Sequence, residues 1–515
     1  MLHKSDGLVR AGQVVLLIQQ SEIACSDLDS RPPRRAMPNH RLAAALPHRV
    51  GLLLLVGFAA IPSGTAAQDY HTDIRPIIEG RCLGCHAEDG VAFSMEDADR
   101  AYGRRGKIGE MLLERRMPPW LAEAGHQSYV GDPSLSGEEL ERVRRWVDAG
   151  YPRGTPQRST ARPAPLAPFR ADLTLDVTGG RAYLPDQGGP DEYRCFVLDW
   201  PRQTPGFITG FKAVPGNLHV SHHVVVHAIE PPLAQRFHEL EGEEEGAGYR
   251  CFGGALPDRF NSRTERDAYD ARYTNGVREL SRGNFWLAHW APGMDGYTFP
   301  EGTGIAMKPG AALVVQMHYY TRHAPGESDQ GSLLEFQLAD EVERPAVNYP
   351  LTQNRWLNGE RNGSMVVGPG AQATYEVSES LGDLLGYLAF ATQVPQDSIE
   401  ALEIHSANLH MHSFGHSGVV TLTDGNGRRE TLLSIPRWDL GWQRDFTFVH
   451  PKVFGRDGLE DVRLSVQCTF ENSTDRPVYG GYGSDEEMCF NFSYIAVRAA
   501  GRRSADGSNR GAPRR

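Results

Sequence analysis

The apolar positions of the chain follow a helical spacing near the N-terminus and a strand-like spacing after it. Ser136 and Glu139 form a capping box, and Gly150 and Pro152 end the segment that follows. Between them, apolar residues recur every three or four positions, at Leu140, Val143, Trp146 and Val147. This spacing predicts an amphipathic helix. The helix closes a predicted small all-α domain over residues 68–155.

Further along, residues 169–499 contain short β-branched or alternating apolar runs, such as Ala312–Val315, which turn signals separate. Long amphipathic helices are scarce, and the charge-rich stretch Glu239–Glu245 is interpreted as a solvated loop. The pattern predicts an all-β region. Its length predicts two β-sandwich domains, over residues 169–335 and 336–499.

A short apolar run, Val50–Ile61, lies near the N-terminus. It is shorter than the roughly 20 residues with which a helix crosses a bilayer. Basic residues precede it and small residues follow it, which is typical of a secretory signal peptide cleaved after Ala67. A short membrane anchor is the alternative, and Met37 is an alternative start. We expect residues 1–67 to be an N-terminal extension and signal peptide, and the mature protein to be secreted or periplasmic without a stable membrane span.

Composition and charge narrow the function further. The chain has 515 residues, with 53 Lys+Arg and 65 Asp+Glu, which gives a net charge of −12. A nucleic-acid partner is disfavoured because it requires a basic face. Residues 156–168 are rich in Pro and Ala, which indicates an interdomain linker. Residues 500–515 are rich in Gly, Ser and Arg, which indicates a disordered tail.

The predicted helical domain contains a haem-attachment pattern, Cys82-Leu-Gly-Cys85-His86. In C-x-x-C-H the two thiols bind the haem covalently, and the histidine binds the iron. An accidental match, a redox pair or a zinc pair is the alternative. Met117 is the candidate distal ligand, because a Met/His pair suits electron transfer; its competitors are Met95, Met111 and His126. With its Arg-Met-Pro-Pro-Trp motif and closing helix, the region resembles the small c-type cytochromes, which implies one covalent haem c.

Eight histidines of the β-region fall into two groups rather than being spread along the chain. One group comprises His219, His222, His223 and His227, and the other comprises His405, His410, His412 and His416. Such clustering indicates metal chemistry.

The spacing within the groups selects candidate ligands. His410 and His412 are two positions apart, so in a strand they share one face. His222 and His223 are adjacent, so joint ligation requires a strand end or a β-bulge. His318 ends another apolar strand and could supply a third imidazole, and Met488 is a thioether in a polar turn. Soft sulfur together with imidazoles favours copper, whereas zinc more often takes carboxylate or thiolate ligands.

Several motifs occur in the order HHVVVH, LAHWAPG, FPEGTGIAMKPGAALVVQMHYY, LHMH and CTFEN…SDEEMC. Across roughly residues 169–498 the chain therefore resembles the copper type II, ascorbate-dependent monooxygenases, represented by peptidylglycine α-hydroxylating and dopamine β-monooxygenases. The resemblance implies two jelly-roll sandwiches, each holding one copper ion beside a solvent-filled cleft. The electron-transfer copper would be held by His222, His223 and His318. The catalytic copper, where O2 binds, would be held by His410, His412 and Met488.

Four cysteines remain once Cys25 and the haem pair are set aside: Cys195, Cys251, Cys468 and Cys489. Four cysteines allow three pairings. The family resemblance favours Cys195–Cys251 in the first sandwich and Cys468–Cys489 in the second. The second bridge would fix the turn that presents Met488.

The chain departs from peptide-amidating members of the family in the expected substrate region. Those members carry an arginine two residues before the His-x-His pair, where this chain has Asn408. They carry asparagine and tyrosine after the Met-Cys pair, where this chain has Phe490 and Phe492. Because arginine recognises carboxylates, its absence argues against a peptide C-terminus as substrate. The phenylalanines favour a more apolar ligand, and Gln316 is a candidate for water organisation or substrate contact in the cleft.

The other clustered histidines, and His289, match no family ligand. His219, His227, His405 and His416 are interpreted as neighbours of the metal ligands, as surface groups or as a secondary metal site. The resemblance implies that His289 lies in a loop without a ligand role.

Together these features predict an exported copper-dependent monooxygenase that hydroxylates a C–H bond of a small or apolar substrate with O2. Two copper ions and one haem c are the expected cofactors. Electrons are expected to pass through the fused haem to the three-histidine copper, or to come from an ascorbate-like reductant or a redox protein. The alternative is a non-catalytic haem and copper protein that relays electrons or binds copper.

Overall fold

A computed structural model describes the protein from residue 68 to residue 500 with short gaps. The gaps are 89–92, 157–168, 190, 252–253, 262, 275, 291–293, 295, 323, 358–362 and 482–484. The predicted signal peptide lies outside the described residues, as do the predicted linker and tail apart from residues 156 and 500. Within the described residues, every helix is too short or too polar to cross a membrane.

The described part of residues 68–156 is helical, and we call it the helical unit. Its elements are a π-helical turn (Tyr70–Ile74), α1 (Arg75–Arg81), α2 (Leu83–His86), α3 (Ala98–Gly103), α4 (Arg105–Leu113) and α5 (Gly137–Asp148). The predicted capping box is present at the start of α5, where Ser136 and Glu139 each bond the other's backbone N–H. Val143 and Trp146 on α5 are fully buried in the core of this unit. The spacing of apolar residues therefore predicted the closing helix correctly.

The rest of the described chain is mostly β-sheet, as the alternating pattern predicted. In the first predicted sandwich the strands are β1 (Leu173–Asp176), β2 (Asp191–Asp199), β3 (Gly206–Val214), β4 (Ser221–Ile229), β5 (Tyr249–Arg250), β6 (Asn284–Trp290), β7 (Tyr297–Thr298), β8 (Thr303–Met307), β9 (Ala312–Tyr320) and β10 (Leu333–Ala339). In the second they are β11 (Arg344–Leu351), β12 (Val366–Val367), β13 (Gln372–Ser380), β14 (Ile399–Ala407), β15 (Leu409–His410), β16 (Gly415–Thr423), β17 (Arg429–Ile435), β18 (Phe446–Gly455), β19 (Arg463–Glu471), β20 (Val478–Tyr479) and β21 (Phe490–Ala499).

One large sheet runs through both predicted sandwiches. Its strand order is β1-β10-β3-β8-β11-β21-β14-β18, and β7 and β15 pair at its sides. A five-stranded sheet, β5-β2-β9-β4-β6, accompanies its first half, and a four-stranded sheet, β13-β19-β16-β17, accompanies its second half. The parallel pair β8–β11 joins the halves, because β8 precedes residue 335 and β11 follows it. The division at residues 335 and 336 is thus crossed by continuous sheet.

Strand β9 is buried on both faces, which explains why most of its sequence is an uninterrupted apolar run. Leu313, Val315 and Met317 face the main core, whereas Ala312 and Val314 belong to a second cluster of buried residues. A strand that is buried on both faces has no polar side to alternate with. Further along the same strand, Gln316 and His318 line a cavity instead. Along this face of β9, the residue type changes from apolar side chains in the second cluster to the polar side chains of Gln316 and His318, which line the cavity.

A helical insertion covers the second apolar cluster. It contains α6 (Pro231–Gly242), α7 (Arg263–Arg272) and α8 (Gly276–Arg282), and a further helix, α9 (Leu385–Thr392), lies later in the chain. The prediction of a solvated loop over Glu239–Glu245 is wrong at its start, because α6 continues to Gly242. Two prolines begin this helix, and Phe237 and Leu240 are buried against the sheet. The charged run that predicted a loop begins at Glu239, in the last turn of this helix. The disulfide Cys195–Cys251 ties the insertion to β2, as the resemblance implied.

A segment of the helical unit, residues 120–130, docks on the second half of the β-region. The Tyr129 hydroxyl donates to the Leu432 carbonyl at 2.7 Å, and the Val130 N–H donates to the Thr447 carbonyl at 2.8 Å. The Trp120 ring meets Phe446 edge to face, with centroids 4.9 Å apart. The helical unit is therefore attached through side-chain packing and through backbone hydrogen bonds.

Candidate metal centre

One cavity brings the two predicted ligand sets together. It has a volume of about 540 Å³, and all six predicted copper ligands line it. The three-histidine cluster comprises His222, His223 and His318, and the His-Met cluster comprises His410, His412 and Met488. The volume is in the range of small-molecule sites.

Strand register assembles the three-histidine cluster. His223 stands opposite His318 in the antiparallel β4–β9 pair, and the register shifts between Ser221 and His223. This irregularity is the β-bulge that joint use of adjacent histidines requires, because a bulge turns a side chain that would otherwise face away. His222 therefore joins the other two rings on the same side.

The ring nitrogens of this cluster converge on a small space. The Nδ1 atom of His318 lies 3.3 Å from Nδ1 of His222 and 3.4 Å from Nδ1 of His223. One ligand atom from each ring lies within 4.8 Å of the others, which is a spacing that a metal ion can bridge. The Nε2–H of His318 donates to Asp191 Oδ1 at 2.9 Å, so the lone pair of that ring is on Nδ1.

Burial keeps two of these rings, His222 and His223, neutral. Desolvation, and then repulsion from His318, lowers the pKa of His222 to about 4. Desolvation also holds the pKa of His223 well below its usual range. The Tyr193 ring stacks on His318 with centroids 4.1 Å apart and limits its rotation. Three imidazoles whose ring nitrogens converge fit a transition-metal cation such as copper, which nitrogen ligands suit.

The His-Met cluster presents its imidazoles through the opposite nitrogen. The Nδ1–H of His410 donates to Gln443 Oε1 at 2.5 Å, and the Nδ1–H of His412 donates to the Glu486 carbonyl at 3.0 Å. Both rings therefore carry the lone pair on Nε2. The two rings are nearly perpendicular, with centroids 5.4 Å apart. Desolvation, and then repulsion from His412, lowers the pKa of His410 to about 3, so this ring is also neutral.

Two devices hold Met488 in the cavity wall. The disulfide Cys468–Cys489 fixes the next residue, as the resemblance implied. The buried carboxyl of Glu487 accepts from the backbone N–H groups of His412 at 2.9 Å and Phe414 at 2.6 Å, which ties the methionine turn to the histidine segment. Burial raises the pKa of Glu487 to about 7 despite these hydrogen bonds. Sequence reasoning missed Glu487, although its place beside the predicted ligand Met488 was visible.

The residues at which the chain departs from peptide-amidating enzymes also line the cavity. Phe490 and Phe492 stack nearly parallel with centroids 5.4 Å apart, and they form an apolar wall beside His410. The Asn408 amide donates to Asp445. Gln316 reaches the cavity and donates to the Gly254 carbonyl at 2.9 Å.

The remaining clustered histidines separate into surface, core and cavity residues. His219 and His416 are exposed and pair with Glu327 and Glu471. The buried His405 bonds Glu403 at 3.0 Å. By contrast, His227 and His289 line the cavity. The structure therefore brings two of these five residues to the candidate site.

The haem-attachment pattern lies at the junction of α1 and α2. Cys82 is half-buried, Cys85 is exposed, and both are free thiols. Burial raises the pKa of the Cys82 thiol to about 12. His86 is buried and its Nδ1–H donates to the Phe93 carbonyl at 2.8 Å, which leaves the lone pair on Nε2. Met117 packs against the core of the helical unit. Two thiols, an oriented imidazole and a thioether on one small unit are a donor set that fits a covalent haem.

Comparison with known proteins defines the class of the C-terminal region. Residues 389–499 match the family model for the C-terminal domain of copper type II ascorbate-dependent monooxygenases. This stretch includes the His-Met cluster, and it identifies a domain of a copper-dependent oxidoreductase family. No curated protein matches the chain.

Similarity to solved structures is weak. Peptide-N(4)-(N-acetyl-β-D-glucosaminyl)asparagine amidase shares 8% identity, with 64% of this chain and 96% of that chain covered and a TM-score of 0.26. The top component of Cowpea mosaic virus shares 9% identity, with 62% and 89% covered and a TM-score of 0.23. Such scores support no inference about this protein.

Proposed function

We propose that the protein is an exported copper-dependent monooxygenase that hydroxylates a C–H bond of a small, uncharged substrate with O2. The observation that carries the proposal is the pairing of two chemically different ligand sets in one cavity. One set is purely nitrogen, and the other combines nitrogen with a thioether. In the overall reaction, one oxygen atom enters the C–H bond, and the other leaves as water after taking up two electrons and two protons.

The six cavity residues would hold two copper ions, one in each cluster. When bound, these ions would supply one electron each and the site at which O2 is activated. The protein's own contribution is to keep His222, His223 and His410 neutral by burial and to fix which nitrogen each oriented ring presents. Asp191 does this for His318, and Gln443 does this for His410. Such outer partners orient metal ligands and tune their basicity.

The cavity wall supports an uncharged substrate. Among the described residues that line the cavity, none is Lys or Arg, so a carboxylate would lack a charged partner. Phe490 and Phe492 give one wall an apolar surface. A substrate that packs on these rings would exclude water from the space beside His410, where the C–H bond would be oxidised.

The helical unit would serve as an electron source. Cys82 and Cys85 would attach a haem c, and His86 and Met117 would be its axial ligands. Residues 120–130 dock on Leu432, Phe446 and Thr447, which are close in sequence to Gln443, the partner of His410. An ascorbate-like reductant or a redox protein would be the external donor that reduces the haem and the copper ions again after each turnover.

The decisive experiment is oxygen chemistry with purified, copper-loaded protein. We expect an 18O-labelled hydroxylated product in a metabolite screen under 18O2, and oxygen uptake that the substrate stimulates. Met488→Leu keeps the side-chain volume but removes sulfur, so oxygen uptake should fall while the haem spectrum is unchanged. Met488→His restores a ligand atom and should recover part of the uptake. Full uptake in Met488→Leu would contradict the assignment.

A non-catalytic electron-relay or copper-binding protein is the second candidate, because a haem held by the helical unit would exchange electrons without any oxygen chemistry. It predicts that both clusters bind copper but that no reductant and no substrate supports oxygen uptake. Metal analysis together with oxygen electrode measurements separates the two functions.

A further inference from the structure

Beside the candidate copper ligands, the same cavity contains a second group of polar side chains, with no role assigned so far. They are His227 on β4 and Trp286 and His289 on β6. His227 stands opposite Trp286 in the β4–β6 pair, and the register shifts between Val226 and His227. A bulge at that point redirects side chains, so the polar group is built into the strand pairing.

Four polar atoms of these side chains are buried and have no hydrogen-bond partner. His227 is 6% exposed, and neither its Nδ1 nor its Nε2 has a partner. The Nε1–H of Trp286 and the Nδ1 of His289 also have none. Buried polar atoms are almost always hydrogen-bonded, because leaving one unpaired loses its hydrogen bonds to water without replacement. Four such atoms around one cavity indicate that a bound molecule completes their hydrogen bonds.

An aromatic wall connects this polar group with the His-Met cluster. The ring of Trp286 lies 5.5 Å from His227 and 4.3 Å from Phe492. The ring of Phe492 in turn lies 6.4 Å from His410. A molecule whose apolar body lies on this wall would thus have one end at His410 and the other at His227.

The chemistry of the three rings defines the group that they can bind. Desolvation lowers the pKa of His227 to about 4, so at neutral pH the ring offers one donor and one acceptor. The indole N–H of Trp286 can only donate. The matching ligand group therefore both accepts and donates, as a hydroxyl or a primary amide does. A carboxylate only accepts, and a hydrocarbon does neither.

We propose that His227, Trp286 and His289 form a recognition subsite for an uncharged hydroxyl or primary amide at the end of the substrate remote from the oxidised C–H bond. This inference rests on the proposed monooxygenase function for its meaning, although binding itself does not require turnover. The substrate would be an apolar or aromatic molecule that ends in one neutral hydrogen-bonding group.

Four matched probes test the subsite in the full-length, copper-loaded protein without oxygen. They are 3-phenylpropan-1-ol, 3-phenylpropanamide, 3-phenylpropanoate and propylbenzene, and their Kd values are measured by isothermal titration calorimetry. We expect the alcohol and the amide to bind about tenfold more tightly than the carboxylate and the hydrocarbon, because one satisfied hydrogen bond is worth roughly that factor. Equal or tighter binding of the carboxylate overturns the proposal.

Variants then show which residues produce the preference among the four probes. His227→Phe should reduce the preference for the alcohol over propylbenzene to about twofold or less, since it removes both imidazole nitrogens. Trp286→Phe keeps an aromatic ring without the N–H and should remove part of the preference. The matched control is His219→Phe, because His219 is exposed and bonds Glu327 outside the cavity. Retention of the full preference in both cavity variants overturns the proposal.

Fold loss and failure of the enzyme function can be told apart from failure of the subsite. Near-ultraviolet circular dichroism identifies a variant that does not fold, and the wild-type probe series decides the question without any variant. If the preference is present but no 18O enters any product, the subsite is upheld and the proposed monooxygenase function fails. If labelled product forms without any preference among the probes, the reverse holds.

Discussion

At the residue scale, each oriented histidine of the cavity depends on a partner that is far away in the sequence. Asp191 is 127 residues from His318, Gln443 is 33 residues from His410, and Glu486 is 74 residues from His412. The candidate ligands themselves were predictable as a hypothesis, because residue type, local spacing and the family resemblance favour them. Their partners were not, because only the pairing of distant strands and turns brings them together.

Replacing Asp191 tests the importance of such a partner. Asp191→Ala should weaken copper binding at the three-histidine cluster by about 10–100-fold, since the Nε2–H of His318 loses its acceptor and the ring is no longer held. Competition with a copper chelator measures the change. Asp199→Ala is the matched control, because Asp199 ends the same strand and pairs with the surface residue His238. An unchanged affinity in Asp191→Ala would show that His318 is oriented by other contacts.

At the element scale, the sequence predicted strands and the closing helix better than it predicted α6–α8. The closing helix has a strong apolar stripe and a capping box, so local signals agree. Helix α7 instead has a very polar sequence, RTERDAYDAR, and contributes Tyr269 to a buried cluster that forms only when the chain is folded. The sequence showed only that joint ligation by His222 and His223 would require a β-bulge or a strand end. It could not locate the bulge, because the position of a bulge depends on strand register.

The turn between β20 and β21 is the element on which the methionine depends. Cys468→Ser together with Cys489→Ser should lower the free energy of unfolding by about 3 kcal/mol, since the bridge closes a 21-residue loop. The same pair of changes should weaken copper binding at the His-Met cluster but not at the three-histidine cluster. Guanidinium unfolding and chelator competition measure the two effects.

The other disulfide supplies the control for that prediction. Cys195→Ser with Cys251→Ser should also reduce stability, because it opens a 56-residue loop. Since this bridge lies in the first half of the β-region, copper binding at the His-Met cluster should remain. Equal losses of copper at that cluster in both double variants would mean that general destabilisation, not the turn, is responsible.

At the scale of the whole molecule, a buried carboxylate links three strands of the ten-stranded sheet. Glu403 on β14 is fully buried and accepts from His405, from Arg344 at 3.1 Å and from Arg498. These residues stand on β11, β14 and β21, which are neighbours across the middle of the sheet. Burial alone would raise the pKa of Glu403, but the hydrogen bond from His405 and the two arginines outweigh it and lower the pKa to about 2.

This arrangement predicts a specific acid dependence of stability. Because the folded pKa lies below the ordinary value of 4.5, the carboxylate stabilises the fold above pH 4.5 and loses that contribution as the pH falls to about 2. The free energy of unfolding should decrease across this range by at most about 3 kcal/mol from this group. Denaturant unfolding at several pH values measures it. Glu403→Gln should flatten the dependence, whereas Glu376→Gln, at an exposed ion pair, should not.

The contact between the helical unit and the β-region predicts an effect on electron transfer. Trp120→Ala removes the ring that packs on Phe446, so copper-dependent reoxidation of the reduced haem should slow down. Stopped-flow absorbance measures this rate. Val130→Ala, in the same segment, changes a side chain that is 60% exposed and should leave the rate unchanged. If both variants reoxidise the haem at the same rate, the docking contact is not required for electron transfer and the prediction is wrong.

The same segment, residues 120–130, also closes two sheet edges. Strands β17 and β18 end the strand orders of their sheets, and the segment bonds both: Gln127 and Tyr129 reach the carbonyls of Thr431 and Leu432, and the backbone of residues 128–130 pairs with β18. An uncovered sheet edge is a template for pairing with another chain. A fragment that starts at residue 169 would expose both edges and should self-associate. We therefore expect the helical unit to protect the β-region from aggregation as well.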